Sequence, residues 1–343
     1  MSKIDHVYII AEAGVNHNGD IKNAIRLIEA ASHSGVDAVK FQSFKAAKLV
    51  SKAAKKAKYQ FDNTNDGDDT QYNMLKSLEL SEDDHALLIK ECEKRGIQFL
   101  STAFDLDGID FLDELGMPFF KSPSGEITNY PYLKRLAQKG KPVVLSTGMA
   151  DMEEIKAAVD ILTEHGLKLN DVSVLHCNTE YPTPMEDVNL KAMNTIKDEL
   201  GVQVGYSDHT LGIEVPIAAV ALGAKIIEKH FTLDRSLPGP DHRASLEPDE
   251  LKEMVTAIRN IEKAISGSGE KKPSPSEQKN KVVARKSIHM TRSKEAGEVI
   301  SEEDIIALRP GNGISPMEWE KIIGKKLKQA CSASEMLHWS SLE

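Results

Sequence analysis

Short runs of β-branched and aromatic residues alternate eight times with amphipathic helical stretches, a repetition that restricts the chain to a parallel sheet covered by helices. The strand candidates are Val7 to Gly14, Ala38 to Phe44, Gln98 to Phe104, Phe119 to Ser124, Pro142 to Gly148, Val172 to Asn178, Val202 to Ser207 and Ile226 to Phe231. A helix candidate follows each. The clearest are Asn23 to His33, Glu82 to Arg95, Met152 to Gly166 and Asp249 to Ile265, with apolar residues at spacings of three and four. An open sheet rarely needs eight nearly even parallel units, so the pattern predicts a closed (β/α)8 TIM barrel. No GxGxxG follows the first strand, which removes the phosphate loop a dinucleotide-binding sheet would need.

With 343 residues the chain exceeds a barrel of about 250 and leaves room for one small module. The expected division is a catalytic barrel over 1–265, a linker over 266–281 and a second domain over 282–343. The linker is the run Ser266-Gly-Ser-Gly-Glu-Lys-Lys-Pro-Ser-Pro-Ser276, which has no hydrophobic period. Beyond it lie strand-like pieces, Val282 to Ile288 and Ile305 to Leu308, and the turn Arg309-Pro-Gly-Asn-Gly313. A domain that small has a marginal core and is expected to dock onto something larger. Between the second strand and its helix, the polar segment Lys45 to Gln71 is long enough to be a functional lid or disordered.

Composition narrows the function. Forty per cent apolar and 28% charged residues describe a soluble protein with ample core, and the absence of a signal peptide or long apolar span predicts a cytoplasmic location. Cys92, Cys177 and Cys331 have no paired spacing, so they read as reduced thiols rather than a disulfide framework or zinc site. A net charge of −10 argues against nucleic-acid and membrane partners. An anionic substrate would then be held by a few placed cations and backbone amides.

In a (β/α)8 barrel the active site lies at the C-terminal ends of the strands. Here those ends carry Glu12, Lys40 and Gln42, Ser101 and Thr102, Lys121 and Ser124, Ser146 and Thr147, Asn178 and Thr179, His209, and Glu228 and His230. Any one of these could be an ordinary hydrogen-bonded or solvated group, but eight ends behaving alike point to a site. Lys40 and Lys121, with hydroxyls and the turns Ser124-Gly125 and Thr147-Gly148, suit a small anion bearing phosphate and carboxylate, as phosphoenolpyruvate does. Ser146-Thr147-Gly148 would equally serve to cap the next helix. His209 and His230 end the last two strands, which are neighbours, and two imidazoles there can hold a divalent metal with positions open for water and a carbonyl; imidazole ligation admits manganese, cobalt or zinc.

The sequence resembles the sialic acid synthase family, which includes legionaminic acid synthases, from about Ile9 to Lys325. The resemblance is carried by Ala11-Glu-Ala-Gly-Val-Asn-His-Asn-Gly19, Val39-Lys-Phe-Gln42, Lys121-Ser-Pro-Ser-Gly-Glu126, Ser146-Thr-Gly-Met149, Tyr181-Pro-Thr-Pro184, Ser207-Asp-His-Thr210, Glu228-Lys-His-Phe-Thr232, Pro238-Gly-Pro-Asp241 and Arg309-Pro-Gly-Asn-Gly313. The tail from Val282 is similar to that family's antifreeze-like (SAF) domain. The resemblance implies a barrel enzyme that condenses phosphoenolpyruvate with N-acetylmannosamine and water to a nine-carbon 2-keto acid sugar, or alternatively uses 2,4-diacetamido-2,4,6-trideoxymannose. It further implies a divalent metal, manganese with cobalt or magnesium as substitutes, on His209 and His230. Lys40, Thr102, Lys121, Ser124 and Ser146, with Thr179 as a weaker candidate, would bind the donor; relatives can place Thr then Asn where Asn178-Thr179 stands. Glu12 would be the acid/base, Gln42, Tyr181 and Asp241 would face the acceptor, and Glu228 would support the metal. Arg309 would reach the acceptor in the partner chain of a domain-swapped homodimer. Two readings of other classes compete: a barrel metallohydrolase, whose first-strand HxH is replaced by Asn16-His17-Asn18, and a non-catalytic carbohydrate- or ice-binding protein.

Overall fold

Because strand side chains point alternately to opposite faces, the strand register decides which residues face the barrel axis. The computed structural model describes residues 5–64 and 67–343. Its strands are β1 (Tyr8–Gly14), β2 (Ala38–Ser43), β3 (Gln98–Ala103), β4 (Phe120–Ser122), β5 (Val143–Ser146), β6 (Val172–Cys177), β7 (Gln203–Asp208) and β8 (Ile226–His230). They pair in parallel in the order β3-β2-β1-β8-β7-β6-β5-β4, and β3 lies against β4 without a ladder, so the sheet is a nearly closed barrel. The expected strands are all present, each lying within or at the edge of its predicted span.

Local signals set the helix ends. Asp20 caps helix Ile21–Ser34 by accepting from the Lys22 N–H, and Gly35, at φ 77, closes it. Capping boxes start Glu82–Arg95 (Ser81 with Asp84) and Met152–Glu164 (Asp151 with Glu154). Asp151 therefore does the capping that Ser146-Thr147 offered. The apolar faces of the helices meet the outward residues of the strands: Leu27 and Ile28 of Ile21–Ser34, Leu133 and Leu136 of Tyr130–Gln138, and Leu251, Met254 and Ile258 of Pro248–Ile265 pack with Ile9, Phe41, Val174 and Ile227 in one buried cluster. Each such side chain contributes about 1.5–3 kcal/mol by leaving water.

The inward alternates form a separate buried cluster, Tyr8 and Ile10 from β1, Ala38, Leu100, Phe119, Val144, Leu175 and Ile226. This is the plug of the barrel. On β7 the corresponding position is Gly205, and no larger residue fits: a Cβ there would lie 2.3 Å from the Ile226 carbonyl oxygen and 2.6 Å from Leu175 Cδ2.

The polar segment after β2 is neither a bare loop nor, in its described part, without structure; residues 65–66 fall outside the described residues. It forms three short helices, Ala46–Leu49, Lys58–Thr64 and Gln71–Ser77. Met74, Leu75 and Leu78 bury against Val15, Phe44 and Ala46.

The chain divides into two compact units, Met1–Ser266 and Gly267–Glu343. In the second, β9 (Ser287–Met290) pairs antiparallel with β10 (Ile305–Leu308) over a core of Ile288, Met290, Ile300, Ile314, Ile322 and Leu337. Two expectations are corrected here. The stretch read as linker contains a helix, Pro275–Ala284, and the strand expected to start at Val282 starts at Ser287. Ser274 and Glu277 form a capping box with Pro275 in the first turn, so the Ser/Pro pattern that read as linker is a helix start. Among the described residues no helix is long and apolar enough to cross a membrane.

Candidate active site

One step of the period-two alternation above the apolar plug, the interior turns polar. Ile10 is followed two residues on by Glu12, Ala38 by Lys40, Leu100 by Thr102, Phe119 by Lys121, Val144 by Ser146, Leu175 by Cys177, Gly205 by Ser207 and Ile226 by Glu228. Register places Glu12 beside Lys40 on one side and His230 on the other, and Ser207 beside both Cys177 and Glu228. These residues form the floor of a cavity of about 600 Å³, and Gln42, Ser124, Thr179, Tyr181, His209, His230 and Asp241 line it with them. Every barrel residue to which the resemblance gave a role thus faces one space, whereas Ser101, Thr147 and Asn178 do not line it.

The floor holds two cations and two carboxylates. Lys40 Nζ lies 2.6 Å from Glu12 Oε2 and 3.6 Å from Glu228 Oε2, and donates to Thr102 Oγ1 at 3.0 Å. Lys121 Nζ donates to Ser146 Oγ at 2.7 Å and sits 3.6 Å from Glu228 Oε1, which also accepts from Ser207 Oγ at 2.9 Å. Burial pushes the Glu12 carboxyl up to about 7, and Glu228 adds to the rise while Lys40 opposes it. Glu228 is equally buried, but Lys121 and Lys40 together outweigh that and hold it below the usual carboxylate range. Burial lowers Lys121, while the two carboxylates raise Lys40 in spite of its burial. One carboxyl of the pair is therefore poised near neutrality and the other is held as an anion.

Backbone turns complete the floor. Gly148 N–H donates to Ser124 Oγ at 3.0 Å, and a Cβ on Gly148 would lie 2.5 Å from Thr179 Cγ2, so glycine lets three loops converge. Gly14, at φ 51, ends β1 where a Cβ would meet Glu12 Oε1 at 3.3 Å and His230 Cε1 at 3.5 Å.

The two histidines meet above this floor, with ring centroids 5.3 Å apart. His209 Nδ1 bonds the Asn178 carbonyl oxygen at 2.5 Å; as the donor in that bond, Nδ1 carries the proton and leaves Nε2 a free lone pair. His230 Nδ1 is buried with no hydrogen-bond partner, and Asp241 Oδ2 is 3.9 Å away. Burial lowers both imidazoles, His209 to about 4, so both are neutral at pH 7. Among the described residues no group of three or more His, Cys, Asp or Glu is arranged to hold a metal. The two neutral imidazoles, with a lone pair free on His209 Nε2 and His230 Nδ1 left unpartnered, are the side chains here that could hold a divalent ion. Behind them, on the outward face, buried Lys229 donates to Asp208 Oδ2 and to the Thr210 carbonyl, each at 2.5 Å, tying the turn that carries His209 to β8.

Strict alternation also sorts the paired candidates. Ser101 points outward to Ser43, itself bonded to His85, and Thr147 bonds the Leu175 carbonyl. Asn178 Oδ1 accepts from the Glu180 N–H at 2.7 Å within its own turn, so Thr179 is the one that lines the cavity. Cys177 and Ser207 were missed, although counting by twos from Leu175 and Gly205 finds both. Tyr59, Gln60 and Gln71 were missed as well: they come from the polar segment after β2, and Tyr59 stacks on Tyr181 with ring centroids 5.2 Å apart. Arg309 belongs to the second unit, where it is exposed and its Nε donates to the Ala284 carbonyl at 3.0 Å.

The NeuB family pattern matches residues 27–271, and the SAF domain pattern matches residues 283–343. The chain is 53% identical to the N,N'-diacetyllegionaminic acid synthase of Legionella pneumophila subsp. pneumophila, over 98% of this chain and 94% of that one. It is 54% identical to the N,N'-diacetyllegionaminic acid synthase of Campylobacter jejuni subsp. jejuni serotype O:2, over 92% of this chain and 94% of the relative. Among solved structures it resembles the N-acetylneuraminic acid (sialic acid) synthetase of Leptospira borgpetersenii serovar Hardjo-bovis, at 36% identity and a TM-score of 0.69, covering 80% of this chain and 90% of that one.

Proposed function

The chain belongs to the NeuB family and is a phosphoenolpyruvate-dependent, carbon–carbon bond-forming sugar synthase, and on that premise we propose that its acceptor is 2,4-diacetamido-2,4,6-trideoxymannose, making it an N,N'-diacetyllegionaminate synthase. The observation that carries this choice is the relatives' identity: two named for that product share 53% and 54% of residues over nearly the whole chain, against 36% for the N-acetylneuraminic acid enzyme. The order of preference drawn from sequence, which put N-acetylmannosamine first, is thereby reversed. The metallohydrolase and binding-protein readings lose their support to the same matches.

In the mechanism we propose, Lys40, Lys121, Thr102, Ser124, Ser146 and Thr179 hold the donor's phosphate and carboxylate, the two ammonium groups offsetting its charge. Donor C3 forms a bond to the acceptor's aldehyde carbon. The proton on Glu12 passes to the aldehyde oxygen as that becomes a hydroxyl, and Glu12 then takes a proton from the water that adds at donor C2. The hydroxyl so formed at C2 becomes the keto oxygen as the bond from C2 to the phosphate oxygen breaks, and its proton goes to the departing phosphate. A carboxyl poised near 7 can serve both steps, and Glu228, held as an anion between the lysines, keeps their positions. Gln42, Tyr181 and Asp241 orient the acceptor. A manganese ion, with cobalt or magnesium as substitutes, would be held by His209 and His230 and would supply Lewis-acid polarisation of the aldehyde.

Arg309 is proposed to reach the acceptor in the partner chain's barrel, which makes the enzyme a domain-swapped homodimer. Mixing Arg309→Ala chains with His209→Ala chains under subunit exchange is expected to restore part of the activity, because each mixed dimer then has one barrel with neither defect. A mixture no more active than its separate components would contradict the assignment.

The acceptor is tested by comparing kcat/KM for the two sugars at saturating phosphoenolpyruvate. The diacetamido sugar is expected to be preferred by at least about 10-fold, the scale on which small groups in an apolar pocket discriminate. Preference for N-acetylmannosamine would return the reading to the first alternative.

A further inference from the structure

The cavity has two unlike sides. Its floor is the ionic and hydroxyl layer described above, whereas the wall formed by the turn after β1, by the segment after β2 and by the residue after β3 is apolar: Val15, Leu49, Val50, Met74, Leu75 and Phe104 line it. Met74, Leu75 and Val15 are themselves buried in a small core, so the wall is built rather than incidental. Nothing in the bond-forming chemistry uses it, since donor and aldehyde meet at the lysines and histidines.

Tyr59 sets where the acceptor's far end must lie. Its ring stacks on Tyr181 with an interplanar angle of 23°, and Tyr181 in turn lies 4.2 Å from the His209 ring, centroid to centroid. Tyr59 is thus two ring contacts removed from His209 at the reacting end. Its helix is pinned to the loop before Asp241: Asn63 donates to the Pro240 carbonyl at 2.8 Å and accepts from the Gly239 N–H at 3.4 Å and from Arg243 at 3.3 Å. Gln60 and Gln71 also line this end, 3.5 Å apart.

We propose that this wall is the specificity element of the enzyme, with Tyr59, Val50 and Leu75 receiving the methyl group at C6 and the acetamido methyl at C4, and with Gln60 and Gln71 beside them for the amide's polar atoms. The inference rests on the function proposed above and names what selects that substrate. Hydroxyl groups at C4 and C6, as N-acetylmannosamine carries, would lose water against the wall and find few partners there, while methyl groups bury apolar surface without that cost. The wall discriminates against the more hydroxylated sugar by leaving its groups unpaired.

Two substitutions in the full-length enzyme test this. Val50→Thr keeps the shape and adds a hydroxyl, and Tyr59→Ala removes a half-buried ring outside the barrel core whose helix keeps the bonds of Asn63 to Gly239 and Pro240, with circular dichroism checking that each variant stays folded. Each is expected to lower kcat/KM for 2,4-diacetamido-2,4,6-trideoxymannose about 10-fold, to change that for N-acetylmannosamine by less than about 3-fold, and to leave the KM for phosphoenolpyruvate unchanged. Equal losses on both sugars, or no loss, in an unaltered background that prefers the diacetamido sugar would overturn the wall's role and leave the proposed function standing. An unaltered enzyme that prefers N-acetylmannosamine would overturn both.

Discussion

Alanine at His209 or at His230 is expected to lower kcat/KM by about 10³-fold or more, the several kcal/mol that a metal supplies by polarising a carbonyl. The same loss is expected on chelation, with manganese restoring turnover of the unaltered protein. Both imidazoles are buried yet neutral, so each offers a lone pair at pH 7 without first losing a proton. Neither carries the fold: His209 gives up one bond to the Asn178 carbonyl, and His230 Nδ1 has no partner to lose. Calorimetric titration with manganese separates metal loss from general damage. The unaltered chain should bind and the two variants should not, while circular dichroism stays the same. Full activity after chelation would remove the metal from the account.

Lys121→Ala is expected to weaken use of the donor by about 1.5–3 kcal/mol, which is roughly 10- to 150-fold in kcat/KM, and to leave the acceptor's KM little changed. Lys121 is buried, donates to Ser146 and faces Glu228, so its removal takes a cation from the donor's place and half the neutralising charge from a buried carboxylate. Glu228 should then titrate higher, and the acidic side of the pH–rate profile should move toward neutrality. That direction follows from linkage: a carboxyl held low by Lys121 stays ionised down to low pH, and losing the lysine makes it take up its proton earlier as pH falls. An unchanged donor KM and kcat would take Lys121 out of the site.

Period two is what made the barrel and its floor legible. A buried parallel strand shows an apolar run, and the polar residue that interrupts it near its C-terminal end, Glu12 after Ile10 or Glu228 after Ile226, marks the height at which the plug stops. Where two polar residues stood side by side, as at Ser101-Thr102 or Ser146-Thr147, only alternation from a fixed interior residue tells which one faces in. The segment after β2 resisted reading for a different reason. Helix Lys58–Thr64 buries no residue of its own face, and what places it is the stack of Tyr59 on Tyr181 and the bonds of Asn63 to Gly239 and Pro240, partners more than a hundred residues away. Local pattern carries no trace of such contacts. The helix Pro275–Ala284 was legible in principle, since Ser274 and Glu277 are spaced as a capping box, but its Pro/Ser composition and exposed face mimic a linker. The acceptor stayed open because both sugars present the same aldehyde and differ only at C4 and C6, away from the reacting carbon.

Coupling of the donor to an aldehyde sugar in one cavity is tested most directly by following inorganic phosphate released from phosphoenolpyruvate with the bridging oxygen labelled. Release is expected only when an acceptor sugar is present, in equal amount to the keto acid sugar formed, with the label in the phosphate because the C–O bond breaks. Phosphate released at the same rate without any sugar, or released without the label, would contradict it.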